Sequence, residues 1–297
     1  MSASGFLTPV ETSKAFVEVG EAKVGLPIGR MFLLAVLAGA YIGFGAHLAT
    51  TVGTGTWQVW GVRQLAMGAA FTVGLMLVVI AGSELFTGNN LMSVSLCSGR
   101  IGMGGLMRNW VVVYVGNLVG SLLLAVIVAR YSGLLAGATG GTAIKIAALK
   151  TNAANPGMLN HNLAFFMRAI GCNWLVCLAV MLAMSARDIS GKILGIFFPI
   201  MAFVASGFEH SVANMYFIPA GIFAKSSEAA RTASELTSQQ LAALNWSGMW
   251  TQNLIAVTLG NIVGGAIFVG VIYFLAHVCG TEVCGRREPQ AGPNQRP

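Results

Sequence analysis

The sequence predicts an all-α, polytopic membrane protein of six transmembrane helices in two inverted three-helix repeats, with the second and fifth helices broken. Three observations predict it. First, 56% of the 297 residues are hydrophobic and only 9% are charged, against about 25% charged in an ordinary soluble domain. Second, six long apolar stretches succeed one another, at about 28–50, 65–96, 104–129, 162–186, 192–225 and 249–276, each of a length to cross a bilayer, which takes about 20 apolar residues. Third, the two halves of the chain repeat.

In chain order, Thr8-Pro9-Val10-Glu11 reads as a helix start, with Thr8 as N-cap and Glu11 closing a capping box, and a short amphipathic helix follows to about Lys23. Residues 1–27 form this N-terminal segment. They lack an apolar core flanked by basic residues, so no cleaved signal peptide is expected and the mature chain starts near Met1. Residues 28–278 hold the spans, with repeat one at 28–130 and repeat two at 160–278, and 279–297 form a polar, flexible tail. With six spans both termini share one side. Assigning that side to the cytoplasm collects Lys14, Lys23, Arg30, Arg100, Arg108, Arg187, Lys192, Arg286, Arg287 and Arg296, against Arg63, Arg130, Lys145, Lys150, Lys225 and Arg231 opposite.

The net charge of +7 is scattered, which excludes a nucleic-acid-binding patch. The five cysteines follow no metal-binding or disulfide spacing. No metal or cofactor is expected, and no nucleophile stands with a base, so the chain does not read as an enzyme. A haem or quinone subunit would need facing histidine pairs on intact helices. His47, His161 and His277 instead read as interfacial.

The repeat is legible in two places. The second and fifth stretches are interrupted by Gly82-Ser-Glu84-Leu85-Phe86-Thr87-Gly88-Asn-Asn90 and Gly207-Phe-Glu209-His210-Ser-Val-Ala-Asn214-Met215, which share the pattern Gly-x-Glu-x4-Asn. Farther on, Asn109-WVVVYVG-Asn117-LVG matches Asn253-LIAVTLG-Asn261-IVG. Three spans per copy is an odd number, so the copies insert in opposite orientation, the arrangement by which transporters build a midplane site. Glu84 and Glu209 are the only acids between Lys23 and Glu228 apart from Asp188, and an intramembrane carboxylate is functional or paired. Their expected role is to accept hydrogen bonds from the free amides of the half-helix after each break.

These residues resemble the formate/nitrite transporter family over about 10–276. The resemblance rests on GSELFTGNN (82–90), SGR (98–100) with NWVVVYVGNLVGS (109–121), CNWLVCLAV (172–180), ASGFEHSVANM (205–215) and VTLGNIVGG (257–265). It implies an aquaporin-like protomer in a homopentamer that moves small monovalent anions with protons through the inner membrane. It further implies pore residues His210, Thr87, Asn261, Asn173 and Phe86, an outer constriction at Phe71 and Phe203, and an inner one at Leu75, Leu85 and Val176. A lysine expected near the outer mouth falls on Gly157 in a gap-free alignment, and Lys150 takes its role if a few residues are inserted at Thr151–Gly157. Phe217-Ile218-Pro219-Ala220-Gly221 leans the resemblance toward formate, with nitrite, hydrosulfide, acetate and lactate as alternatives.

The residues support the same chemistry. A bare anion in an apolar slit costs several kcal/mol unless something neutralises it. His210 is the one histidine in a broken span, and imidazole exchanges a proton near neutral pH. Thr87 and Asn261 offer neutral donors. An aquaporin-like neutral-solute channel is the rival reading, but it would carry paired Asn-Pro-Ala signatures, and this chain has only Asn155-Pro156-Gly157.

Overall fold

The structure, a computed structural model, describes residues 5–155 and 160–284; Gly157 and most of the polar tail lie outside them. The described residues form helices, with one isolated bridge between Phe6 and Ala186. The N-terminal helix α1 (Pro9–Val24) starts at the Thr8–Glu11 capping box. Then come α2 (Ile28–Val52) and α3 (Trp60–Ile80), followed after the first break by a short distorted helix α4 (86–97). The chain continues through α5 (Met103–Tyr131), α6 (Ala138–Lys150) and α7 (His161–Ser185). On either side of the second break stand α8 (Ile189–Ala205) and α9 (Ser211–Ala224), and two small helices, α10 (Glu228–Ser234) and α11 (Ser238–Ala243), lead into α12 (Trp246–Val278).

Five helices, α2, α3, α5, α7 and α12, are long and apolar enough to span a membrane. The remaining apolar stretch is divided into the 17-residue α8 and the 14-residue α9. Each division has the same local cause. Gly82 has φ +83° and Gly207 has φ +74°, a left-handed conformation that favours glycine, and each redirects the chain for three residues before the next helix begins.

Small residues set the helix spacing in matched places. A Cβ on Gly120 would lie 1.9 Å from the Val36 carbonyl oxygen on α2, and one on Gly264 would lie 2.3 Å from that of Ile170 on α7. The α2–α5 and α7–α12 pairs therefore meet backbone to backbone, the close approach by which lipid-embedded helices gain packing.

Two features frame the bundle. On one face, α1 lies across the end of α4: the Ser95 hydroxyl donates to the carbonyls of Phe16 and Val17 at 2.9 and 3.1 Å, and Glu21 pairs with Arg100 at 2.7 Å. On the other face, α6, α10 and α11 form a cap. The Ala-Thr-Gly-Gly opening of α6 holds two poor helix formers. It is helical because its glycines admit neighbours, with a Cβ on Gly141 lying 2.7 Å from that of Ala233.

Candidate functional site

At the first break, Asn117 accepts from the Phe86 amide at 2.9 Å and donates to the carbonyls of Ala35 and Glu84 at 2.8 and 2.9 Å. At the second, Asn261 accepts from the Ser211 amide at 2.9 Å and donates to the carbonyls of Ala169 and Glu209, both at 2.9 Å. The glutamates follow suit. The Asn89 amide donates to Glu84 and to Asn109 at 2.7 and 2.8 Å, and the Asn214 amide to Glu209 and Asn253, both at 2.7 Å. Each carboxylate is completed by a lysine from outside the repeat: Lys23 of α1 reaches Glu84 at 2.6 Å, and Lys150 at the end of α6 reaches Glu209 at 2.9 Å.

This arrangement corrects the expected role of the acids. Glu84 and Glu209 accept from asparagine and lysine side chains, while Asn117, Asn261 and His210 satisfy amides at the helix starts. Both carboxylates are buried, and a buried carboxylate needs a charge partner as well as hydrogen bonds, which a backbone amide alone does not supply. Asn261, expected to donate to the anion, has both amide hydrogens engaged by carbonyls and serves as a strut.

Two cavities approach the breaks from opposite faces. The one on the α1 face, about 180 Å³, is lined by Lys23, Leu75, Val78, Gly82, Leu85 and Gly88 among others. The one on the cap face, about 310 Å³, reaches Lys150, Phe71, Phe203, Glu209, His210 and Asn214. The Phe71 and Phe203 rings meet edge to face at 5.7 Å, and Phe203 lies nearly parallel to the His210 ring at 5.9 Å. Lys150 also stands 5.4 Å from the Phe217 ring centroid.

Between the cavities lies one polar contact, Thr87 Oγ1 to His210 Nε2 at 2.9 Å, with both side chains buried. His210 is also the N-cap of α9, where its Nδ1 accepts from the Ala213 amide at 2.9 Å. That bond occupies the Nδ1 lone pair. The ring therefore carries its proton on Nε2, which faces Thr87. The start of α9 adds the partial positive charge of a helix N-terminus.

The other expected site residues divide. Asn173 holds the site together by donating to the carbonyls of Thr87 and Asn261 at 3.2 and 2.7 Å. The Phe86 ring packs against Trp110 and Tyr114 at 6.0 and 5.0 Å and lines neither cavity. Val176 is buried in the core, and Val180, one turn on, lines the α1-face cavity instead. Sequence reasoning missed Lys23, whose only signal was its place at the end of a predicted amphipathic helix, and it matched Asn89 to Asn214 in the repeat without giving Asn89 a role. His161 Nε2 contacts the Gln252 carbonyl at 2.5 Å, and His277 packs on Tyr273 at 5.5 Å, both far along the chain from the breaks.

Comparison with known proteins agrees with this architecture. Residues 10–275 match the family described as formate/nitrite transporter. The chain is 46% identical over 288 residues to a probable formate transporter of Methanothermobacter thermautotrophicus, covering 93% of this chain and 98% of that protein. It is 37% identical over 276 residues to the formate channel FocA of Escherichia coli K12, covering 92% and 95% of the two chains. A solved pentameric formate channel with formate bound superposes with a TM-score of 0.74 at 40% identity, covering 84% of this chain and 97% of that one. The paired breaks, the helical architecture and these matches lead to one conclusion: the chain belongs to the formate/nitrite transporter family, a family of multi-pass membrane transporters rather than enzymes.

Proposed function

We propose that this chain is a transmembrane pathway for small monovalent anions, formate foremost, and that it works as a homopentamer in the cell membrane with the α1 face and both termini in the cytoplasm. The observation that carries the reading is the His210–Thr87 contact at 2.9 Å, placed between two cavities and flanked by Phe71, Phe203, Leu75 and Leu85. The names of the relatives support formate. The three-span copies then lie in opposite orientation about a midplane site.

An anion leaving either cavity sheds water into an apolar partition, at a cost of several kcal/mol. His210 Nε2–H and the Thr87 hydroxyl are the donors in place to offset it. In the structure Nε2–H donates to the Thr87 oxygen, so an arriving anion takes over the His210 donor and can also accept the Thr87 hydroxyl hydrogen, which that contact does not use. Proton transfer asks for more. Before His210 can give up its Nε2 proton it needs a second proton on Nδ1, and the Ala213 amide occupies that position. Hydrogen-bond donation leaves the α9 cap intact, whereas passage as the neutral acid requires it to open. Lys150 and Lys23, each paired with a glutamate, stand at the entrances.

Proteoliposomes assayed in parallel with formate, nitrite, hydrosulfide, acetate and glycerol test this reading. Formate flux above that of glycerol is expected. Glycerol permeation without anion flux would overturn it in favour of a neutral-solute channel.

A further inference from the structure

The two cavities differ in charge. Among the residues lining the α1-face cavity the one charged group is Lys23, and Glu84 neutralises it. The cap-face cavity is lined by Arg63, Lys145, Lys150 and Arg168, against the single carboxylate of Glu209. Lys150 is matched by Glu209 at 2.9 Å, and Lys145 by Glu235 at 2.6 Å. The two arginines are not matched. Arg63, in the first turn of α3, uses its Nε on the Gly53 carbonyl at 2.8 Å, and Arg168, in the second turn of α7, lies over the Phe165 ring at 5.4 Å. Among the described residues neither is in an ion pair.

Two uncompensated guanidinium groups on different helices therefore face one cavity. Guanidinium presents a planar fork that binds carboxylates in bidentate fashion and is lightly hydrated, so it gives up water readily. At about 310 Å³ the cavity falls at the lower end of small-molecule sites, which run from roughly 300 to 1,000 Å³. That leaves room for a ligand with two carboxylates. Such a ligand has no route onward, because desolvating a double charge between Phe71 and Phe203 costs far more than desolvating a single one.

We propose that the cap-face cavity is a binding site for small dicarboxylate dianions, held by Arg63 and Arg168, and that an occupant closes the mouth of the pathway without crossing it. The inference rests on the reading of this cavity as that mouth. It predicts one-sided inhibition, because the α1 face has no such pair.

The test measures formate flux of the full chain in intact cells and in inverted membrane vesicles, with malonate or acetate added to the exposed face. In cells malonate inhibits, and an Arg63→Gln/Arg168→Gln variant raises the inhibitory concentration by about tenfold, the loss expected when charge-assisted pairs are removed, while acetate acts alike on both proteins. In inverted vesicles malonate has no effect. Arg168→Lys, which keeps the charge and loses the fork, is intermediate and covers the case in which the double variant folds poorly. Malonate that leaves the parent protein uninhibited, inhibits both proteins equally, or acts from both faces would overturn the proposal. Formate flux without malonate reports separately on the transport reading.

Discussion

The first break and the second are built on one plan and do different work. Asn117 and Asn261 bridge the same three kinds of backbone group, and Glu84 and Glu209 each accept from the matched asparagine, Asn89 or Asn214, and from a lysine, Glu209 also accepting from Asn253 at 3.5 Å. The difference lies in the residue that begins each half-helix. At the first break it is Leu85, which lines the α1-face cavity; at the second it is His210, which lines the cap-face cavity and caps α9. The duplicated part is the hydrogen bonding that braces each break, and the imidazole stands on one copy only. Thr87, from the other copy, completes the site. A site formed this way cannot be assembled by either repeat alone.

The comparison is broken most directly at the asparagine struts. Asn117→Leu and Asn261→Leu each remove three hydrogen bonds and leave buried backbone groups unmet, a loss of about 1–3 kcal/mol for each group left unsatisfied. Both variants are expected to melt earlier than the parent in detergent, and by similar amounts. An Asn117→Leu protein as stable as the parent would show that the scaffold is not shared.

A smaller effect sharpens the comparison by acting outside the repeat. The Glu11 carboxylate accepts from the Thr8 amide at 2.7 Å and from its hydroxyl at 2.8 Å, bonds that hold it below its ordinary value of 4.5. A carboxyl depressed in the folded state contributes stability at neutral pH, and the contribution is lost as pH falls through its folded-state value. Thr8→Ala is expected to lower amide protection factors in the first turn of α1 by about fivefold at pH 7, and acidification below 4.5 to lower the same protection factors in the parent, each referred to the intrinsic exchange rate at that pH. Protection at the two breaks should not change in the Thr8→Ala protein. If it does, α1 and the breaks act as one unit.

Much of the architecture was legible because its causes are local. A Gly-x-Glu-x4-Asn pattern inside an apolar run marks a break, and its recurrence marks a repeat. The bonding within the site was less legible, since a sequence shows which groups are present and not how many of their hydrogens are already engaged. Asn261 is the example: it stands at the pore-centre position implied by resemblance, yet both its amide hydrogens belong to carbonyls. Lys23 escaped notice for another reason. It comes from a helix with no counterpart in the second repeat, so no internal comparison points to it. Helix α6 was hidden by its glycines, whose poor helix propensity is overridden by packing against α10.

The account stands or falls on His210 as the central donor. The decisive measurement is formate uptake into proteoliposomes from pH 5 to 8 with a trapped pH indicator, for the parent and for His210→Phe of equal assembly by size-exclusion chromatography. The substitution is expected to lower uptake on the order of 10²-fold or more, the scale of a lost hydrogen bond to a desolvated charge, and to flatten the pH profile of uptake. Unchanged uptake with an unchanged pH profile would contradict it.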